Sequence, residues 1–158
     1  MDPTRVEDDE VLFRRVPCDE MCFEVEDDGA LKVQPAAFND RAMRPSVDRR
    51  ALRPDPVATQ RGPGNLQGWE RGGVVRLVTS AVRGDRSVAK MKGDAVETQH
   101  ALDVIHKPNP PADLENAAHA QVEPSPAIAS ANVFRRVREA LARLVSGWEI
   151  RPEGHRDA

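Results

Sequence analysis

Four side chains in this sequence have the chemistry of an acyl- or phosphoryl-transfer site: Arg14, Ser46, Asp48 and His119. A serine hydroxyl can attack, a histidine can take its proton, a carboxylate can orient the histidine, and a guanidinium can hold an anionic oxygen. Arg15 and His106 offer the same chemistry nearby in sequence. No G-x-S-x-G elbow surrounds Ser46, so no strained nucleophile turn is encoded there. The same residues have plainer uses. Ser46 before "VDRR" suits the N-cap of a short helical turn, with Asp48 near its positive end. His119, between alanines, suits a strand residue whose ring is satisfied by a backbone partner. On balance the sequence predicts the cap and the satisfied histidine.

A second group is defined by charge. Residues 41–61 carry six arginines, Arg41, Arg44, Arg49, Arg50, Arg53 and Arg61, against two aspartates. Such a stretch can face an anion or a partner, and Trp69 downstream could stack a base. Residues 1–28 carry eleven acids against three arginines, however, and would compete for the same guanidiniums. With a formal net charge of −3 and no recognisable nucleic-acid-binding module, nucleic acid is disfavoured as a partner. A protein partner is expected instead.

Metal and phosphate motifs are weak. Cys18 and Cys22 have a ligand-like spacing, with His100, His106 and His119 downstream. An extended chain would hold the two cysteines about 13 Å apart, and His100 and His106 about 20 Å apart. Free thiols in or beside a strand are therefore expected, and no metal. The glycine-rich "RGPGNLQGWERGG" (61–73) has neither a Walker pattern nor a dinucleotide fingerprint. It reads as a loop, and no cofactor is expected.

The elements that must position these residues follow from pattern and punctuation. With 158 residues, 39 % apolar, the chain can bury a core without disulfides or metals. Tyrosine is absent, so that core rests on Val, Leu, Ala and four phenylalanines. "VLFRRV" (11–16) predicts a strand stopped by Pro17, and "MCFEVE" (21–26) alternates with one apolar face. "ALKVQPAAF" (30–38) adds a further segment, and an antiparallel hairpin is expected from these pieces. Residues 39–72 read as a long, mostly irregular Arg/Pro/Gly-rich excursion. "GVVRLVTSAVR" (73–83) fits either a strand or a short helix. Strands are predicted in "RSVAKMKG" (86–93), "ALDVIHKP" (101–108) and "AHAQVEP" (118–124), the last two paired. "WEIRP" (148–152) could add a final strand.

The strongest element is "NVFRRVREALARLVSGW" (132–148). Val133, Phe134, Val137, Leu141, Leu144 and Val145 share one helical face, with Arg135, Arg136, Arg138 and Arg143 largely off it. Asn132 or Ser130 would cap its start. The fold class predicted is α+β: a mostly antiparallel sheet, one amphipathic C-terminal helix and the long loop. Residues 11–152 are expected to form one domain, with flexible tails at 1–10 and 153–158. No apolar run approaches the ~20 residues that cross a bilayer, and the acidic start does not fit a signal peptide, so a cytoplasmic location is expected.

In chain order, "LFRRVP" (12–17), "AAF" (36–38), "SVDR" (46–49), "GVV" (73–75) and "HAQV" (119–122) resemble segments of small uncharacterised bacterial proteins. Those proteins share an arginine-bearing first strand, an A-F element, an S-V-D segment and a late H-A strand. The resemblance brings no activity with it. An arginine strand followed by a serine element is also similar to ADP-ribosyltransferase folds such as the RES toxins. This chain departs from them in having no tyrosine and no catalytic glutamate motif. The expectation is a small accessory or protein-interaction module. The alternative is a small enzyme acting on a nucleotide or other anionic substrate through Arg14, Ser46, Asp48 and His119.

Overall fold

Strand β1, Val11–Val16, is where the chain enters the main sheet, and its alternation decides what lies on each side. Leu12 and Val16 join the principal core, while Phe13 is buried on the opposite face. The computed structural model describes residues 4–62, 65–108 and 116–156. The described elements are ten strands, three α-helices and two short 3-10 turns. Beyond β1, the strands are β2 (Phe23–Val25), β3 (Leu31–Val33), β4 (Ser46–Arg49), β5 (Gly73–Val78), β6 (Ala89–Lys92), β7 (Ala95–Gln99), β8 (Ala101–His106), β9 (His119–Ser125) and β10 (Gly147–Ile150). The helices are α1 (Pro56–Arg61), α2 (Thr79–Gly84) and α3 (Ala131–Leu144).

Six strands form one sheet in the order β10-β5-β1-β4-β9-β8, with every neighbouring pair antiparallel. Two hairpins, β2–β3 and β6–β7, stand apart from it. The protein is α+β, mostly antiparallel, with one 14-residue C-terminal helix, as its sequence pattern indicates. Val133, Phe134, Val137, Ala140 and Leu141 of α3 share a core with Leu12, Val47, Leu77, Val104 and Val122 of the sheet's inner face. Ser130, not Asn132, is the cap: its side chain accepts from the Val133 N–H. On the outer face, α1 lies over β1, β5 and β10, its Thr59 and Gln60 buried against the sheet. No helix among the described residues is long and apolar enough to cross a membrane.

Three expectations are corrected. Residues 46–49 are not a capped helical turn but β4, an interior strand between β1 and β9. Val47, Asp48 and Arg49 are all buried, so the strand shows no half-buried alternation, and its polar side chains made it read as loop. Residues 39–72 accordingly hold a strand, a helix and a 3-10 turn. Nor are the described ends loose tails. Val6 is 2 % exposed, the Thr79 N–H donates to the Glu10 carbonyl, and the Ser80 N–H donates to that of Asp8. At the other end, the Glu153 N–H donates to the Arg71 carbonyl, and His155 meets the Phe23 ring edge-on at 5.2 Å. The open choice for residues 73–83 resolves into both answers, β5 running straight into α2.

Candidate functional site

The strand registers set Asp48 opposite His119, Ser46 opposite Gln121, and Gln121 opposite Ile105. Residues paired in this way point to the same face of a sheet. Ser46, Asp48, His119, Gln121 and Ile105 therefore share the outer face, on the half that α1 leaves to β4, β9 and β8. Asp48 is its buried centre, 8 % exposed. Its Oδ2 accepts from Thr59 Oγ1 at 2.7 Å, its Oδ1 accepts from Asn116 Nδ2 at 2.7 Å, and Arg53 Nη1 stands 4.0 Å from Oδ2. A buried carboxylate needs such donors to offset its lost hydration.

His119 is fixed differently. Its Nδ1 lies 2.6 Å from the Lys107 carbonyl oxygen, which can only accept. Nδ1 therefore carries the proton, and in the neutral ring Nε2 is left as the acceptor. That tautomer could take a proton from a ligand. The geometry also satisfies the plainer expectation of a strand histidine held by a backbone partner.

Arg14 lies on the other side of the sheet. With Leu12 opposite Arg49 and Phe13 opposite Asp48, strand alternation sends Arg14 to the face of Leu12, not to that of Asp48. Its guanidinium donates to three backbone carbonyls: Nε to Ala37 at 3.0 Å, Nη1 to Ser46 at 2.8 Å and Nη2 to Asn39 at 3.1 Å. It also sits 5.7 Å from the Phe38 ring centroid. Burial lowers its pKa, against the opposing charge of Asp40. Arg14 thus ties the segment around Phe38 to the sheet. The sheet brings Ser46, Asp48 and His119 together and excludes Arg14.

The six arginines of 41–61 scatter. Arg49 is buried and gripped by Glu10 through two bonds, Nε to Oε1 at 2.8 Å and Nη2 to Oε2 at 2.9 Å. It also donates to the Arg5 carbonyl and approaches His106 Nδ1 at 3.1 Å. Burial pushes the Glu10 carboxyl up, but the Arg49 hydrogen bond, the Glu7 N–H and the Arg49 and Arg83 charges bring it net below its ordinary value. Arg44 pairs with Glu123 at 3.8 Å and Arg53 approaches Asp48, both on the outer face. Arg61 stacks on Trp69, 5.1 Å from its centroid, while Arg41 and Arg50 are exposed. The acidic amino-terminal stretch and the basic stretch do meet, at Glu10–Arg49.

Thr59 and Asn116 enter the Asp48 site without having been singled out from the sequence. Nothing in "PVATQR" marks Thr59 as the partner of a carboxylate eleven residues earlier. Cys18 is exposed and Cys22 buried, the latter's thiol pushed up by burial. Among the described residues, no three His, Cys, Asp or Glu side chains are grouped to hold a metal ion.

An open cleft of about 680 Å³ runs beside edge strand β8, lined in part by Arg5, Val6, Arg83, Leu102, Val104 and His106. Arg83 bridges Asp8 and Asp103 at 2.7 Å each and donates to the Val104 carbonyl, while Asp103 accepts the Val104 N–H. These contacts cap the middle of the edge against further strand pairing. Compared with protein-family models, curated proteins and solved structures, the chain matches none.

Proposed function

We propose that this protein is a small accessory module that binds another protein through the outer face of β4, β9 and β8. The observation that carries this reading is the uneven cover of the sheet. Among the described residues, one face is closed by the core and α3, and the outer face is closed by α1 over β1, β5 and β10. Over the remaining strands lies a half-buried polar strip: Ser46, His119, Gln121 and Glu123 around the hydrogen-bonded Asp48. Charges of both signs, Arg44, Arg53 and Glu123 among them, suit a polar protein surface better than a single-sign polymer.

The alternative is catalysis at the same face, favoured by the paired positions of Asp48 and His119. Against it, both Asp48 oxygens are engaged by Thr59 and Asn116, and the sheet separates Arg14 from the other three candidates. The test is affinity capture from cells with the wild-type chain and with Gln121→Arg/Glu123→Lys, both checked for unchanged thermal unfolding. Binding at this face predicts a protein captured by the first and lost with the second. A partner retained by the variant would contradict the reading. So would turnover of an anionic substrate abolished by His119→Ala with no protein captured.

A further inference from the structure

The glycine-rich stretch that reads as a plain loop is the meeting point of four arginines from four parts of the chain. Its 3-10 turn, Trp69–Arg71, is flanked by Gly68 and Gly72. Arg15 reaches it from β1: Nε donates to the Gln60 carbonyl at 2.8 Å, and a Cβ at Gly72 would lie 3.0 Å from Arg15 Nη2. Arg71 folds back so that a Cβ at Gly68 would lie 3.0 Å from its own Nη2. Gly68 also has φ +69, a conformation that favours glycine. Arg61, at the end of α1, lies over the Trp69 ring. Arg156, from the C-terminal segment, donates to the Glu70 carbonyl through Nη2 and to the Arg151 carbonyl through Nε.

What these arginines lack is carboxylate partners. Among the described residues, none of the four makes an ion pair, whereas Arg44, Arg49, Arg53, Arg76, Arg83, Arg135 and Arg143 each do. The hydrogen bonds of Arg15 and Arg156 go to backbone carbonyls, which orient a guanidinium without neutralising it. Burial lowers the pKa of Arg15. Glu70 and Glu153, on the same segments, are both exposed. Beside this charge stands a half-buried indole and the exposed Leu66.

We infer that the surface around Trp69 binds a nucleotide unit, Trp69 stacking the base and Arg15, Arg61, Arg71 and Arg156 holding phosphate. An indole beside unpaired guanidiniums supplies both halves of such recognition. Either a free nucleotide or a single strand of nucleic acid presents this chemistry, and the test separates them. The site differs from the run of arginines at 41–61, from which only Arg61 contributes.

The test titrates the full chain with ADP and with a short oligothymidylate, following indole emission. Trp69→Phe leaves Trp148 as the internal control. Quenching lost in Trp69→Phe, falling as salt rises, and at least about tenfold weaker in Arg71→Ala/Arg156→Ala supports the site. The log–log salt slope should fall by about one for each arginine removed. Quenching by both ligands identifies the nucleotide unit itself; quenching by the oligonucleotide alone identifies a strand. Arg71 and Arg156 are exposed, so the double variant should melt as the wild type does. No quenching by either ligand, or quenching indifferent to the arginines or to Trp69, would overturn the inference.

Discussion

Arg49 keeps 4 % of its side chain exposed and Glu10 9 %, and two hydrogen bonds join them. Removing one member of such a pair leaves the other charged and dry. Glu10→Ala is expected to cost about 3–5 kcal/mol in denaturant unfolding. Removing Glu7, whose pair with Arg5 at 3.8 Å is exposed, should cost less than about 1 kcal/mol. The same pair sets a pH dependence. Because the folded Glu10 pKa lies below the ordinary glutamate value of about 4.3, its contribution is full above that value. It is lost as pH falls through the folded pKa. Between those two values the wild type should lose stability relative to Glu10→Gln on acidification; parallel pH profiles would contradict the assignment. In the sequence these two residues are only members of an acidic and a basic stretch. Which acid meets which arginine, across 39 positions, is decided by tertiary packing.

At the scale of elements, periodicity found what was regular and half-buried. β1 occupies the expected residues 11–16, β8 and β9 pair as their alternation suggests, and α3 buries the apolar stripe read from its spacing. Leu141→Ala should cost about 2–5 kcal/mol, since Leu141 is fully buried in the core. The exposed Arg136 is the control, and Arg136→Ala should cost under about 0.5 kcal/mol. Arg138 is a poorer control, because its guanidinium lies 5.5 Å from the Phe134 centroid. Equal losses for Leu141→Ala and Arg136→Ala would contradict the packing. β4 escaped the same reasoning for a physical reason. It is four residues long with three consecutive buried residues, and two of its buried side chains, Asp48 and Arg49, are charged. Their burial is made tolerable by Thr59, Asn116 and Glu10, none of them local to the strand.

For the whole molecule, the sheet acts as a divider. It sends Arg14 and Arg49 to one side, where they tie chain segments down, and Ser46, Asp48 and His119 to the other. The candidate site was legible in residue type, but the sidedness was not, because it depends on which strand pairs with which. That sidedness is the basis for proposing the outer face of β4, β9 and β8 as the surface for a partner. The direct measurement is site-specific photo-crosslinking in cells, with a photoreactive residue at Gln121 and, separately, at the exposed Arg135 of α3. A discrete protein adduct from position 121 and none from position 135 is the expected result. Adducts from position 135 alone, or the same adduct from both, would contradict it.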